Sequence, residues 1–237
     1  MGKKVRKEGW IVPGREKLAL VFGAGSVQAM NTFVGTFLAI YLLMVGINAS
    51  IAALVLLFIK AWDAINDMLF GFVVDKYRFK EGKNKFTKWL LSGRYMPWFR
   101  LIFPIIPIGT IVMFTINTSW PLWLRITQYV LGYVLFDLGC TVAAAYNLLP
   151  ISMTNNYNER NFILSWTGLG QGIGSLPVVF LGTVFIAGSF GYTGSAIVFS
   201  ILGVIPALFP ALFVKERNVV AIDKEKMDNY KIKDMLQ

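Results

Sequence analysis

The segment IAALVLLFIKAWDAINDMLFGFVV (Ile51–Val74) is apolar apart from Asn66 and three charged residues. A hydrocarbon core of about 30 Å needs about 20 mostly apolar residues in a helix, so this segment is long enough to cross a bilayer. A carboxylate near the centre of a membrane helix costs about 2.5–3.5 kcal/mol, and the segment holds two, Asp63 and Asp67. Their four-residue spacing places both on one helix face, which Lys60 shares. We therefore predict a membrane span that carries a functional site.

Composition indicates the same class of protein. Of 237 residues, 56% are hydrophobic and only 15% are charged, which excludes an ordinary soluble domain. The sequence has no His, so imidazole metal sites and His-based acid–base catalysis are excluded. Its single Cys140 cannot form an internal disulfide and is expected to be a small, buried packing residue. Because the sequence shows no nucleophile–base pair and no metal-ligand cluster, we do not expect an enzyme.

Six segments reach membrane length, which predicts an all-α integral membrane protein. The links after the first, third and fifth spans are short and rich in turn residues. The second link is long and basic, and the fourth, residues 150–161, is polar. The predicted organisation is an N-terminal segment 1–17, a six-helix bundle 18–214 and a charged segment 215–237. The predicted spans are Leu18–Val45, Ile51–Val74, Pro97–Ile116, Leu122–Leu149, Phe162–Ala187 and Tyr192–Val214.

Positive charge is concentrated on one side of these spans. Of the 23 Lys and Arg residues, 21 lie before the first span, between residues 76 and 100, in the fourth link or after the sixth span. Only Lys60 and Arg125 lie within spans. This distribution predicts cytoplasmic termini and a location in the plasma membrane. Topology and contact with anionic lipid head groups account for the net charge of +10, so nucleic-acid binding is not expected.

Glycine and proline are placed in ways that predict helix packing and bending. Glycines recur at every second residue from Gly168 to Gly174. No strand precedes them, so close packing of helices is favoured over a nucleotide-binding loop. Prolines are expected to bend the third, fifth and sixth spans, where neighbouring helices can satisfy the freed carbonyls. They are Pro104, Pro107, Pro177, Pro206 and Pro210.

Charged residues outside the second span have several interpretations. Asp137 lies near the middle of the fourth span and is either functional or a structural hydrogen-bond partner of a neighbouring helix. Arg125, near the outer end of the same span, is expected to extend to the interface. Glu159 and Arg160, in the fourth link, are expected to form a cytoplasmic clamp or a charge pair at a helix start.

The face formed by Lys60, Asp63, Asn66 and Asp67 offers one ammonium, two carboxylates and an amide on adjacent turns. Three roles are open from the residues alone: a site for Na⁺, which prefers oxygen ligands; a site that binds and releases a proton; or a static ion pair with Lys60. A static pair needs only one carboxylate. The second carboxylate therefore favours cation binding.

Several motifs, in this order along the chain, resemble one family of transporters. Gly71, followed by Asp75 and Lys76, resembles the loop signature of the major facilitator superfamily. The run Trp62-Asp-Ala-Ile-Asn-Asp67, followed by Gly71 and Gly82-Lys83, resembles the glycoside–pentoside–hexuronide:cation symporters. Six spans with both ends inside resemble the amino-terminal half of these transporters, which have twelve spans in two halves. The resemblance extends over nearly the whole chain.

By this resemblance, Asp63 and Asp67 match the cation-binding acids of the family's second helix, and Lys60 matches a basic residue there. Tyr146 keeps the aromatic character of a position in the fourth helix. Three sugar-binding positions of the family carry other residues in this chain, so the resemblance implies cation coupling more strongly than a particular sugar. These departures are Gln28, Val142 and Gly168.

We therefore expect a symporter half that uses a Na⁺ or H⁺ gradient to move a sugar or similar small polar solute by alternating access. No cofactor is expected besides the coupling ion, and the expected partners are the solute, the cation, the lipid bilayer and a second six-helix half. The alternative is a non-transporting membrane protein, such as a sensor, an assembly partner or a truncated remnant. The expected cation ligands are Asp63, Asp67 and Asn66, with Lys60 as charge partner; the expected solute contacts are Gln28, Asn31, Tyr146, Asn147 and Asp137; and the expected cytoplasmic gate is Asp75, Lys76 and Arg160.

Overall fold

The computed structural model describes residues 9–80 and 82–217, except for the side chains of Asp75 and of residues 142–145. Every regular element in those ranges is helical. A 3-10 turn, Ala145–Leu148, joins the sixth helix to the seventh. The α-helices are α1 (Gly14–Met44), α2 (Ala49–Lys76), α3 (Lys85–Leu90), α4 (Met96–Ile102), α5 (Ile105–Met113), α6 (Leu122–Ala144), α7 (Leu149–Met153), α8 (Tyr157–Ala187) and α9 (Gly191–Phe213).

Six helical segments are long and apolar enough to span a membrane, which confirms the predicted fold class. The third is broken between α4 and α5, where Pro104 follows Phe103, whereas α8 and α9 continue through their prolines. The fourth includes α6, the 3-10 turn and α7. The spans are Gly14–Met44, Ala49–Val74, Met96–Met113, Leu122–Met153, Tyr157–Ala187 and Gly191–Phe213.

The fourth link is shorter than the sequence predicts. The prediction placed residues 150–161 in a polar connection, but α7 ends at Met153 and α8 begins at Tyr157. Asn156 caps α8, since its side-chain oxygen accepts a hydrogen bond of 3.0 Å from the backbone N–H of Glu159. The charged residues Glu159 and Arg160 therefore belong to the first turn of a long helix.

Helix α1 is the centre of the bundle and packs along α8 and α9, while α5 and α2 pack against α6. A cluster of rings joins these helices in the core. Phe33 of α1 lies 5.1 Å from Phe114 and 5.3 Å from Phe199, measured between ring centroids. Tyr41 lies 4.8 Å from Phe114, and its hydroxyl oxygen accepts a hydrogen bond from the backbone N–H of Ile116. Aromatic contacts therefore hold α1, α9 and the end of α5 together.

Two of the four alternating glycines account for the close contact between α1 and α8. A Cβ atom on Gly174 would lie 2.1 Å from the carbonyl oxygen of Gly25, and one on Gly170 would lie 2.5 Å from that of Val21. A Cβ atom on Gly168 or Gly172 would meet nothing within 4 Å. Only one of the two small-xxx-small pairs thus faces a helix in the described chain.

Helix α1 and helix α2 are joined by a tight turn. Gly46 has a φ of 77°, in the left-handed region that favours glycine. The guanidinium of Arg125, in the first turn of α6, donates a hydrogen bond to the carbonyl oxygen of Val45. Arg125 therefore stabilises the end of α1. The opposite end of the bundle, where α1, α4 and α8 begin and α2, α7 and α9 end, is named the basic side below.

Candidate functional site

The acidic face of α2 lies beside α6 and is partly open to the surface of the bundle. The ammonium nitrogen of Lys60 is 3.2 Å from a carboxylate oxygen of Asp63, and their side chains are 66% and 34% exposed. Asp67 lies one turn further along the same face. This face is exposed enough for its charges to remain accessible.

Polar side chains connect α2 to α6. The side-chain amide of Asn66 donates to a carboxylate oxygen of Asp137 at 2.8 Å and to the hydroxyl oxygen of Thr141 at 2.9 Å. The Thr141 hydroxyl in turn donates to a carboxylate oxygen of Asp67 at 2.9 Å. Asn66 is only 1% exposed and Asp137 only 4%. We name Asp137, Asn66, Thr141 and Asp67 the polar bridge.

A cleft of about 420 Å³ lies beside the polar bridge, between α1, α2 and α6. Asp63, Asp67 and Asp137 all line it, together with the Lys60 ammonium group. On the α1 side, the side-chain oxygen of Asn31 accepts a hydrogen bond of 3.1 Å from the thiol of Cys140. The lining residues are Asn31, Val34, Gly35, Leu38, Lys60, Asp63, Asp67, Tyr133, Phe136, Asp137, Cys140 and Thr141.

The structure thus brings together the residues predicted to bind the cation and adds Asp137 and Thr141 to them. Asp137, predicted as a solute contact, accepts from Asn66 the interhelical hydrogen bond that the sequence left open as an alternative. Thr141 follows Asp137 by four residues, so the two share a face of α6. That spacing is the signal by which Thr141 could have been found.

Cys140, expected to be a buried packing residue, is half-buried and lines the cleft.

The predicted solute contacts separate into two groups. Asn31 lines the cleft, and Gln28 lies one turn before it on α1, with its amide 3.4 Å from the Thr32 hydroxyl. Tyr146 is buried away from the cleft, where its hydroxyl donates to the carbonyl oxygen of Leu20 at 2.6 Å. Asn147 is exposed and lies outside the lining that the described residues form. The geometry therefore keeps Asn31 and Gln28 as candidates and places Tyr146 and Asn147 elsewhere.

The predicted gate residues lie on the basic side. The Lys76 ammonium group is exposed and lies 5.5 Å from the centre of the Phe72 ring. Arg160 donates to the carbonyl oxygen of Thr154 at 3.2 Å, so it closes the short link before α8. The side chain of Asp75 lies outside the described residues. The described contacts of Lys76 and Arg160 are local, and their role in gating stays a prediction.

Three glutamates on the basic side are held by the fold. Glu159 is fully buried, and its carboxylate lies 2.6 Å from the Lys17 ammonium group and accepts backbone hydrogen bonds from Ile11 and Val12, both of 3.0 Å. The sequence pattern groups Glu159 with Arg160, whereas the described ion-pair partner of Glu159 is Lys17. The sequence does not predict the structural role of the other two glutamates, because a charged residue in a sequence gives no sign that it is buried. They are Glu16, bonded to Arg217, and Glu216, bonded to backbone N–H groups of residues 94–96.

The ion pair of Glu16 and Arg217 joins the beginning of α1 to the segment after α9. Two parallel hydrogen bonds of 2.8 and 2.7 Å connect the guanidinium to the carboxylate. These bonds raise the pKa of Arg217 above its ordinary value. The backbone N–H of Arg217 also donates to the carbonyl oxygen of Ser152 at 2.9 Å. The segment that follows α9 thus fixes the ends of α1 and α7.

Chemically, the cleft presents the oxygen ligands that a hard cation prefers. Within residues 9–80 and 82–217, no group of three His, Cys, Asp or Glu side chains is close enough to hold a metal ion. Carboxylates alone therefore do not form a closed site, and a cation between α2 and α6 would need the Thr141 hydroxyl or water as further ligands. Six membrane spans and a cleft that places carboxylates at membrane depth are together the features of a membrane transporter.

The comparison with known proteins identifies the family. The chain belongs to the MFS/sugar transport protein family, whose model matches residues 20–236. It is 29% identical over 222 residues to sodium-dependent lysophosphatidylcholine symporter 1 of Gallus gallus, covering 90% of this chain and 36% of that protein. It is 30% identical to an uncharacterized symporter of Synechocystis (84% and 37% covered) and 29% identical to a putative sulfoquinovose importer of Escherichia coli (86% and 43%).

These relatives have two consequences. The chain is a multi-pass membrane protein of a transporter family and not an enzyme, as its sequence predicts. The chain spans less than half the length of each of the three relatives.

Proposed function

We propose that this chain forms the amino-terminal half of a symporter that couples the movement of a sugar or similar small polar solute to Na⁺ or H⁺. The observation that carries the proposal is the polar bridge between α2 and α6, beside a cleft that contains Asp63, Asp67 and Asp137. Three carboxylates and one ammonium group leave an excess of negative charge there. Such a site attracts a cation.

The bridge gives the cation a mechanical role. Asp67 and Asp137 stand on different helices, and their like charges repel when no cation lies between them. A bound Na⁺ or proton reduces that repulsion and favours the approach of α2 to α6. Because α2 packs against the bundle mainly through α6, a change at the bridge moves α2 relative to α1. Alternating access requires a helix movement of this kind.

The solute side of the proposal rests on the polar groups of the cleft. Asn31 of α1 faces the carboxylates across the cleft, and Gln28 lies one turn away on the same helix. Amide, hydroxyl and carboxylate groups can hydrogen-bond a polyhydroxy solute. The family's description as sugar transport proteins supports this class of solute, and the name of the Escherichia coli relative, a sulfoquinovose importer, agrees with it.

A second six-helix half and a defined orientation complete the proposal. Helices α2 and α8 leave long rows of apolar side chains exposed, including Leu57 and Phe58 on α2 and Phe180 on α8. Lipid or another half would cover them. We place the basic side in the cytoplasm of a plasma-membrane protein, because in the sequence 21 of the 23 Lys and Arg residues precede the first predicted span, lie between residues 76 and 100 or in the fourth link, or follow the sixth span.

Cation binding can be tested through Cys140, the single cysteine of the chain, which lines the cleft. The rate at which a maleimide alkylates Cys140 is measured in detergent with NaCl and with choline chloride at equal ionic strength. We expect Na⁺ to slow alkylation, and the effect to disappear when Asp63→Asn and Asp67→Asn are combined. Asp228→Asn with Asp234→Asn, in the charged C-terminal segment, is the control that makes the same chemical change elsewhere and should keep the Na⁺ effect.

Transport is tested separately, in vesicles that contain the complete two-half protein. Solute uptake is measured with an imposed Na⁺ gradient and, in a second series, with a pH gradient. Cation-dependent uptake that survives the double Asp63 and Asp67 substitution would refute the proposed coupling site. If alkylation of Cys140 responds to neither Na⁺ nor pH and no gradient drives uptake, the alternative of a non-transporting protein is supported.

A further inference from the structure

The loop between α2 and α4, described over residues 77–80 and 82–95, forms an ordered surface on the basic side, and we name it the basic loop. Its first part is held by three rings: Phe79 lies 5.1 Å from Tyr77 and 4.9 Å from Trp98 of α4. The start of α3 is capped reciprocally, since the Asn84 N–H donates to the Thr87 hydroxyl and that hydroxyl donates to the Asn84 carbonyl, both at 3.0 Å.

The end of α3 is fixed by Arg100. Its guanidinium donates to the carbonyl oxygen of Trp89, to the hydroxyl of Ser92 at 3.0 Å and to the carbonyl oxygen of Ala211, in α9, at 2.9 Å. It also lies 4.7 Å from the centre of the Trp89 ring. The basic loop is therefore anchored at both ends and at its helix, and it presents a defined outer face.

That outer face combines positive charge with an exposed aromatic ring. Lys80, Lys83, Lys85 and Lys88 are exposed, and none forms an ion pair with a carboxylate in the part of the chain that the structure describes. Phe86 is 67% exposed. Its only described ring contact is with Trp89, at 5.8 Å between centroids. Unpaired cations beside an uncovered aromatic ring match a partner that has both anionic and apolar parts.

The position of the basic loop explains this combination. Helix α2 and helix α4 belong to membrane spans, so the connection between them begins and ends at the membrane surface, near the lipid head groups. In α3, Lys85 and Lys88 are three residues apart and share one helix face. Phe86 and Trp89 have the same spacing and lie on the adjacent face. A row of aromatic rings beside a row of lysines is the pattern of a helix that lies in the membrane interface.

We propose that the basic loop binds anionic phospholipid. Lys83, Lys85 and Lys88 contact the headgroup phosphates, and Phe86 inserts at the boundary of the acyl chains. Lysine provides a compact point charge for phosphate, and its stem follows apolar surface while the ammonium group reaches the headgroup. This site is separate from the cleft between α2 and α6. It stands whether or not the proposed transport function is correct.

Lipid binding is measured by native mass spectrometry of the purified chain, released from a neutral detergent in the presence of phosphatidylglycerol or phosphatidylcholine with identical acyl chains. We expect preferential retention of phosphatidylglycerol. Each lysine near an anionic surface contributes about fivefold in affinity, so Lys83→Gln, Lys85→Gln and Lys88→Gln together should weaken phosphatidylglycerol binding by about a hundredfold. The corresponding triple change to Arg, which keeps the charge, should retain binding.

A matched control removes the same charge elsewhere. Lys4→Gln, Arg6→Gln and Lys7→Gln, in the N-terminal segment, should weaken phosphatidylglycerol binding less than the triple change in the basic loop does. An equal loss in this control would show that net charge alone attracts the lipid, and would overturn the site. Phe86→Ser should weaken binding although all lysines remain. Full binding by Phe86→Ser, or displacement of the lipid by millimolar inorganic phosphate, would overturn the insertion of the ring.

Discussion

Two groups of carboxylates lie at different depths in this bundle, one at the helix ends of the basic side and one in the cleft, and they differ in their hydrogen-bond partners. On the basic side, Glu159 accepts hydrogen bonds from two backbone N–H groups and the Thr154 hydroxyl and pairs with Lys17. In the cleft, Asp67 accepts one described hydrogen bond, from Thr141. Asp63 pairs with the exposed Lys60, and its other described partner is the carboxyl group of Asp137, which carries the same type of charge. The residue type is nearly the same, but one group is satisfied by the protein and the other is not.

Whether a carboxylate is satisfied by protein partners distinguishes a structural carboxylate from a ligand-binding one more reliably than its burial or charge alone. A buried carboxylate that has all its partners leaves no position for a ligand, and its loss is felt as instability. A carboxylate beside open space keeps lone pairs available, and its loss is felt as lost binding. The fold thus uses the glutamates to hold helix ends together, while the aspartates of the cleft keep oxygen atoms that no described group of the protein satisfies.

The largest expected effect is on stability, from Glu159→Gln. The change leaves the Lys17 ammonium group, only 13% exposed, without its counter-charge. Removing one partner of a buried pair costs about 3–5 kcal/mol, so we expect the free energy of unfolding to fall by about that much. Unfolding in mixed detergent micelles measures it. The matched change Asp63→Asn should alter stability by less than about 1 kcal/mol, because its pair with Lys60 is exposed. Equal losses for the two variants would remove the distinction drawn above.

The next effect concerns packing and has a control in the same helix. Gly174→Ala would place a methyl group against the Gly25 carbonyl, so α1 and α8 must separate. Overpacking of this kind costs about 1–3 kcal/mol. Gly172→Ala makes the same change where nothing lies within 4 Å, and better helix propensity should make it neutral or stabilising by up to about 1 kcal/mol. Thermal unfolding compares the two variants, and a loss at Gly172 as large as at Gly174 would contradict the described helix contact.

A smaller effect is expected at the polar bridge. Thr141→Val keeps the shape of the side chain but removes the hydroxyl that joins Asn66 to Asp67. If this oxygen helps to hold the cation, the Na⁺ concentration that half-protects Cys140 from alkylation should rise about tenfold, equivalent to about 1.4 kcal/mol. Thr141→Ser retains the hydroxyl and should behave like the unmodified chain. Unchanged Na⁺ protection in Thr141→Val would exclude Thr141 from the site.

The spans were predictable because lipid requires every backbone group to be satisfied within the segment, so length and apolarity suffice. The site was predictable only in part. Asp63, Asn66 and Asp67 share one face of one helix, and periodicity finds such groups. The partnership of Asn66 with Asp137 joins residues far apart in the chain and depends on how α2 packs against α6. No local pattern contains that information.

Tyr146 shows why depth and side-chain type do not locate a solute contact. The sequence places it in the fourth span, and the family resemblance makes it a candidate. It follows Asp137 by nine residues, which is about two and a half turns of an α-helix, so it already lies on the face opposite Asp137. In the structure Tyr146 lies in the 3-10 turn after α6 and packs 4.9 Å from the Phe99 ring.

The smallest expected effect decides between a static ion pair and a cation site on α2. Lys60→Met removes an ammonium group that is 66% exposed, so stability should change by less than about 1 kcal/mol. If Lys60 and Asp63 form only a static ion pair, Lys60→Met should leave the protection of Cys140 by Na⁺ unchanged. In a cation site, Lys60 competes with Na⁺ for the same carboxylate, and its removal should tighten Na⁺ binding by about threefold through the lost repulsion. Lys60→Arg, which keeps the charge, should leave Na⁺ binding unchanged. Tighter binding in Lys60→Met alone therefore identifies Lys60 as a competitor of the cation, whereas equal binding in both variants returns Lys60 and Asp63 to a purely structural role.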